Sequence, residues 1–419
     1  MTSSITQRDS ESSFSLRGTR GPRKICMIAY AFYESDTRVL QYATALRGQG
    51  DAVDVIALRR DNHPEFEILN GVNIYRVQSR TVNEKGLLAY CQRILIFLLR
   101  STILLWRKHQ QEAYDLIHVH NVPDFLVLAA MGPKLSGVPI ILDIHDLLPE
   151  FYASKFKVRH TSFLFKLLVF VERISAAFAT HVIVANHLWR DRFVMRSARA
   201  EKCSVVRNYP DLDIFTAQPT TERKEGGKFI LTYPGSLNRH QGLDVAIRAF
   251  AAVANQMPDT EFHIYGEGSA KSELIELANN LELQGRIIFH DFLPSREIAR
   301  VMSGTDLAIE PKRSTSAFGN EALSTKILEF MALGVPVLAS RTKIHEYYYD
   351  NSVVQYYDND DPVALARAMV ELRGNPALRR QLAANATNYV QENNWQACRF
   401  EYLQLVDSLI SRAHARVAA

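Results

Sequence analysis

Two carboxylates raise the question of chemistry. Glu321 stands at the head, and Glu329 in the interior, of an otherwise apolar run, NEALSTKILEFMALGVPVLAS (residues 320–340). LAIEPKRSTSAFGNEALSTKILEF (residues 307–330) reads as a strand, a long polar loop, then a helix, and from Ile327 onward the helical pattern runs into a Gly-Val-Pro turn and a short strand at 337–339. A helix whose first turn lies at Ser324, Thr325 and Lys326 offers free backbone N–H groups and the positive end of its dipole to a phosphate. Lys326 adds a cation beside them. A carboxylate facing the same ligand suits sugar hydroxyls, from which it accepts hydrogen bonds. Solvated helix charge explains Glu321 adequately but suits Glu329 less well, since that residue is set between Leu328 and Phe330.

His145 is the third chemically able group. It follows a wholly apolar strand in ILDIHD and is flanked by Asp143 and Asp146. In open α/β sheets ligands sit outside the carboxyl ends of the strands, so the residues just past each strand are the useful ones. In the first half of the chain these are the loop with Asp36 and Arg38, then His120 and Asn121, His145, and Asn208. In the second half they are Gly235, Gly266 and Gly268, Phe292, and Glu310. His118 and His120 read as structural hydrogen-bonders. A Gly-x-Gly after one strand is as readily a tight turn as a phosphate loop.

Such placement demands strands alternating with helices, and the chain supplies them. Apolar β-rich runs at 24–31, 52–57, 116–119, 139–142, 181–185 and 203–206 alternate with helical patterns at 37–47, 86–108, 125–135 and 162–178. A polar stretch, AQPTTERKEGG, then intervenes, and the alternation restarts with strands at 229–233, 261–265, 287–290, 307–309 and 337–339. Two such series predict two facing, doubly wound, Rossmann-like α/β domains with a deep cleft between them. The expected boundaries are a disordered tail at 1–22, a first domain at 23–210, a linker at 211–228, a second domain at 229–394, and a helix at 395–419 that could cross back to the first domain.

At 419 residues, 47% hydrophobic and 22% charged, the chain has the composition of a globular protein with large cores. A net charge of +4 is too small to argue for nucleic acid and suits acidic substrates or an anionic lipid surface. Cys26, Cys91, Cys203 and Cys398 show no metal-like spacing and fit a reducing cytoplasm. The polar N-terminus lacks the apolar stretch of a signal peptide, and no apolar run reaches the ~18–20 residues of a spanning helix, so no membrane crossing is expected. Two apolar helices nevertheless carry bases: Arg93, Arg100, Arg107 and Lys108 on one, Lys155, Lys157, Arg159 and Lys166 on or before the other. Core helices covering a sheet is the plain reading. The basic edges also suit peripheral docking on the anionic inner face of the cytoplasmic membrane.

The segment from Glu321 through seven residues to Glu329, followed by FMALGVPVLAS, resembles the E-x7-E signature of retaining GT-B glycosyltransferases of family 4. YDLIHVHN, ILDIHDLLPE, VVRNYPD, YPGSLNRHQGLDVAIRAF, FHIYGEGS and IIFHDFLPSREIARVMSGTDLAIEP fall in that family's order, so the likeness spans most of the chain. It implies a nucleotide-sugar donor in the second domain, with Glu329 on the ribose and Glu321 on the transferred sugar. Ser324 and Thr325 would cradle the diphosphate, Gly235 and Gly266 would line its loops, and backbone at Phe292 and Leu293 would meet the base. His145 would touch the donor sugar, and Asp36 and Arg38 would line the acceptor site.

The resemblance further implies retention of configuration, with the donor phosphate taking the acceptor's proton, and neither a metal nor a cofactor. The expected donor is a UDP-sugar in preference to a GDP-sugar. The acceptor would be a glycan or polyprenyl-linked sugar of bacterial surface or extracellular polysaccharide. One departure stands out: where the family's glycine loop often carries Arg and Lys, this chain has Ser236 and Gln241. Arg239 and Lys326 are therefore expected to meet the diphosphate, with Lys312 or Arg313 in reserve. The paired carboxylates of glycoside hydrolysis fit poorly, since both glutamates fall to donor binding. A nucleotide-sugar epimerase and a non-catalytic nucleotide-sugar scaffold at the membrane are the alternatives.

Overall fold

The computed structural model describes residues 22–60, 62–80, 87–156, 159–217, 227–358 and 360–418. Nearly all of the expected tail, half of the expected linker, Lys157 and the side chain of Lys155 lie outside the described residues.

Two sheets form, one from each series of strands. The first takes β1 (Lys24–Ala29), β2 (Ala52–Arg59), β3 (Phe66–Leu69), β4 (Val72–Ser79), β5 (Leu116–His120), β6 (Ile140–Ile144), β7 (His181–Val184) and β8 (Cys203–Val205). Their order is β3-β4-β2-β1-β5-β6-β7-β8, parallel except for the antiparallel β3–β4 hairpin. The second takes β9 (Phe229–Pro234), β10 (Thr260–Tyr265), β11 (Ile287–His290), β12 (Leu307–Glu310), β13 (Val337–Ser340) and β14 (Gln355–Tyr357). Their order is β11-β10-β9-β12-β13-β14, and every pairing is parallel. These are the two Rossmann-like domains that the alternation predicts.

The central strands are buried on both faces, as a parallel sheet with helices on either side requires. In the first domain the helices are α1 (Thr37–Gly48), α2 (Leu87–Gln111), α3 (Met131–Leu135), α4 (Leu148–Phe156), α5 (Phe163–Phe178) and α6 (His187–Arg196). α2, α5, α6 and a 3-10 segment, Asp124–Ala130, close one face with Phe97, Ala176 and Phe193. α1 closes the other with Tyr42 and Leu46.

The second domain adds α7 (Leu243–Val253), α8 (Lys271–Asn280), α9 (Ser295–Ser303), α10 (Ala317–Glu321), α11 (Thr325–Ala332), α12 (Lys343–Tyr348), α13 (Pro362–Gly374) and α14 (Pro376–Glu392). The last helix, α15 (Trp395–Ala418), leaves the second domain and packs with α1 on the first sheet, where Tyr402, Val406 and Ile410 are buried. The Tyr402 hydroxyl meets His118 Nδ1 at 3.1 Å, and Arg23 pairs with Asp407.

Four local differences from the sequence reading have physical causes. The β3–β4 hairpin escapes a search for apolar alternation because two of the four buried positions on β4 are Arg76 and Gln78. Arg76 is tolerated there because Glu34 and Glu67 both pair with it. The helix expected at 125–135 is a 3-10 segment followed by the short α3, whose Pro133 cannot continue a regular ladder. The polar loop expected before Glu321 contains α10, begun by Ser316, whose hydroxyl accepts from the Gly319 N–H at 3.2 Å. Finally, residues Ala89–Gln111 of α2, with mean hydropathy 1.3, are long and apolar enough to cross a membrane by length and composition. This overturns the statement that no such run exists, because Arg93, Arg100 and Arg107 break the run only when it is read residue by residue.

Candidate functional site

Strand register gathers the first domain's polar groups. Ala29 of β1 pairs with His120 of β5, which pairs with Asp143 of β6, so three carboxyl ends lie side by side. Asp143 is wholly buried, and α1 supplies its counterion: Arg38 donates to its two oxygens at 2.8 and 2.7 Å. A third Arg38 nitrogen donates to Asn208 Oδ1 at 2.8 Å. Burial would raise the Asp143 carboxyl, but Arg38 and His145 outweigh it and hold it well below the usual carboxylate range.

His145 sits one residue past β6. Its Nε2 lies 2.9 Å from Asp143 Oδ2 and 3.2 Å from His120 Nδ1, and its backbone N–H donates to Asn121 Oδ1 at 2.8 Å. Burial keeps His120 below its ordinary pKa and thus neutral. His118, His120 and Asp143 have the ligand types of a metal site, but the Arg38 guanidinium already holds both Asp143 oxygens. The fixed carboxylate thus orients His145, whose ring reaches a cavity of about 560 Å³ between the domains. Asp36 and Arg38 border the same cavity. Asp36 also caps α1, accepting from the Val39 N–H at 3.1 Å.

Across the cleft, β9, β10 and β11 end together: Tyr265 pairs with Pro234 on one side and His290 on the other. Gly235 and Gly266 follow with φ of +139° and +136°, a region that favours glycine. A Cβ on Gly266 would come within 1.9 Å of the Gly235 carbonyl oxygen, so the two loops touch backbone to backbone. They form one wall of a cavity of about 600 Å³ whose other walls include Phe292, Leu293, Thr325, Lys326 and Glu329.

The opposite wall is the N-terminus of α11. Ser324 is its N-cap, yet no side chain closes that cap. Lys326 stands in the first turn, with its ammonium 2.8 Å from Glu310 Oε2 and 4.1 Å from the centre of the Tyr233 ring. Burial opposes that charge, but Glu310 overrides it and raises the Lys326 pKa above that of a free lysine. Glu329, on the same helix, is only partly accessible, and burial pushes its carboxyl up to about 7. Lys312, buried near Glu310 and Lys326, is lowered by burial to about 8 and donates to the Ala322 carbonyl.

Arg239, Arg313 and Glu321 are not brought to this place. Arg239 belongs to a 3-10 turn before Gly242 that aims it outward, where it pairs with Glu273 at 2.8 Å and borders a different cavity. Arg313 is likewise held by Asp244. Glu321 ends α10 and is clamped by Arg192 of α6 at 2.9 and 2.5 Å, so its oxygens are engaged in a bridge between the domains. Of the expected diphosphate cations, Lys326 alone borders the cavity. Sequence reasoning missed Tyr265, which borders the cavity and stacks on His290 with ring centres 4.1 Å apart. Its position as the last residue of β10, just before Gly266, was the available signal.

Comparison with known proteins adds to this geometry. The family "Glycosyl transferases group 1" matches residues 215–389, and "Glycosyl transferase 4-like domain" matches residues 35–209. The D-inositol 3-phosphate glycosyltransferase of Thermomonospora curvata is 23% identical over 388 residues, 86% of each chain. A GDP-mannose-dependent phosphatidylinositol monomannoside mannosyltransferase of Mycolicibacterium smegmatis is 26% identical over 50% of this chain and 56% of its own. Among solved structures, sucrose-phosphate synthase of Thermosynechococcus elongatus superposes with a TM-score of 0.72 at 19% identity, covering 93% of this chain and all of its own. HepE of Anabaena, solved with UDP and glucose, gives 0.70 at 17% identity over 92% of this chain and all of its own.

Proposed function

The chain belongs to the group 1 glycosyl transferases of GT-B fold, and on that premise we propose that it moves a sugar from a UDP-sugar to a glycan or polyprenyl-linked acceptor with retained configuration. The supporting observation is the cavity at α11: an uncapped helix N-terminus, the Lys326 ammonium and two touching glycine loops face one space. That combination suits a diphosphate, whose charge grows as the bond to the sugar breaks. Glu329 would accept hydrogen bonds from the ribose hydroxyls, and Phe292 and Leu293 would border the base. His145, oriented by Asp143, would reach the donor sugar from the opposite wall. The acceptor would enter past Asp36, and its proton would pass to the departing phosphate. Lys326 and the helix end would take the place of a metal.

The cytoplasm is the proposed site of action, in the assembly of bacterial surface or extracellular polysaccharide. HepE binds UDP, and one relative is an amylovoran biosynthesis glycosyltransferase, which agrees with that reading. The engagement of Glu321 by Arg192 favours a second reading, a non-catalytic nucleotide-sugar scaffold. A thermal-shift panel with UDP, GDP, ADP and dTDP, each with and without EDTA, tests the first. A shift of the melting temperature with UDP that EDTA leaves unchanged is expected, since a ligand at a hundred times its Kd adds ~2.7 kcal/mol. Binding without release of UDP from any UDP-sugar and acceptor mixture would favour the scaffold.

A further inference from the structure

We propose that the face of the first domain formed by α2, α3 and α5 is a docking surface for an anionic lipid bilayer, with both long helices lying in the plane of the interface. α2 carries Leu95, Leu99, Ile103 and Trp106 at helical spacing, all exposed, Leu99 by 60%. α5 repeats the pattern with Phe163, Leu167, Phe170 and Ile174, and Phe163 is 82% exposed. The two stripes belong to one surface. Both helices cover the same face of the first sheet together with the segment Asp124–Ala130, and α3 extends that segment against α2. A Cβ on Gly132 of α3 would lie 2.0 Å from the Trp106 ring. The exposed Met131 and Leu135 of α3 continue the apolar surface. Single exposed leucines need no explanation, whereas exposed apolar stripes gathered on one side of a sheet mark an interaction site.

Charge selects the occupant. α2 contains no acidic residue from Leu87 to Gln111 but holds Arg93, Arg100, Arg107 and Lys108. The single acid of α5, Glu172, is buried and bound by Arg196 at 2.8 and 2.6 Å, while Lys166 and Arg173 remain at the surface. Apolar stripes edged by bases alone are the composition of interfacial helices, and each base near an anionic surface contributes ~1 kcal/mol. Crossing the bilayer would strip Ile94, Phe97 and Leu105 of α2 from the first core and break the bond from Gln78 to the Arg93 carbonyl. Lying in the interface leaves both intact. α4, the first helix after His145, packs against α5, so a short helix joins the cleft to this face.

The inference does not rest on the transfer reaction, and its test reads no turnover. Flotation with vesicles of phosphatidylcholine alone and of phosphatidylcholine with phosphatidylglycerol is the measurement. The protein is expected to float with the anionic vesicles only, and less at high salt. The double substitution Leu99→Glu/Leu167→Glu should cut the bound fraction by about tenfold, since it removes apolar burial and adds two repelled charges. Unchanged circular dichroism and melting temperature would show that these exposed positions leave the fold intact. Arg107→Gln/Lys166→Gln should weaken the preference for anionic vesicles. Failure of the wild type to float with anionic vesicles, or equal flotation of the Leu99→Glu/Leu167→Glu protein, overturns the proposal. So does a dimer that Leu99→Glu dissociates, because a second copy would then cover the face.

Discussion

Lys326 stands between a buried carboxylate and the cavity, and a pair of substitutions separates the two tasks proposed for it. Its ammonium neutralises the buried Glu310 and also borders the cavity between the glycine loops and Glu329. Lys326→Ala leaves Glu310 buried without its counterion, which should lower stability by ~3–5 kcal/mol. The same change should lower kcat by ~10²–10³-fold if the ammonium meets charge that develops on the phosphate. Adding Glu310→Gln should restore stability in chemical denaturation but not the rate. Recovery of the rate as well would leave Lys326 with a structural task alone. Glu329 carries a pH signature. Its folded-state pKa, raised to about 7, exceeds that of an unfolded glutamate, so the stability it contributes is fully present below the unfolded value and is lost as pH rises towards 7. The melting temperature of the wild type relative to Glu329→Gln should therefore fall between pH 4.5 and 7. The placement of Lys326 and Glu329 beside one cavity was legible in the sequence because a single helix turn fixes their relation. The directions of Arg239 and Glu321 were not, because they are set by Glu273 and Arg192, which come from distant helices.

α10 shows what a short element can hide. Read as a polar loop, it is a five-residue helix that carries Phe318 into the first domain's core, against Trp189 and Phe151. Ser316 meets Ser154 at 3.1 Å, and Asn186 donates to the Glu321 carbonyl at 3.1 Å, so the helix is pinned at both ends by the opposite domain. No periodicity of 3.6 can appear in five residues, and the signal for this docking lies in partners far along the chain. The long alternating elements were legible for the converse reason: their apolar spacing repeats over several turns or strands. Glu321 bridges the domains through Arg192, and calorimetry can check whether docking is its task. UDP affinity should change by less than about twofold in Glu321→Gln, while Glu329→Gln should weaken it by about tenfold or more, the loss of one charged hydrogen bond. A large loss in Glu321→Gln would return that residue to the ligand.

The two domains are held as one molecule by α10, by the bond from His187 to the Tyr348 hydroxyl at 2.7 Å, and by α15. The cleft that the alternation implied depends on these contacts, which no local pattern encodes. α15 matters most for the first domain, whose strands β1, β2 and β5 present Ile25, Val53 and Leu116 to the layer that α1 and α15 build. A fragment of residues 22–210 should therefore be poorly soluble alone, and a peptide of residues 395–418 should rescue it in trans. Sedimentation with and without the peptide checks this, and a soluble fragment by itself would refute it. The arrangement also orders events in time. A ribosome releases the first eight strands early, yet the helix that seals their exposed face emerges only after the whole second domain. During that interval the second domain has every piece it needs and the first does not. The half made first is finished last, and its open sheet face is what a chaperone must guard on the growing chain.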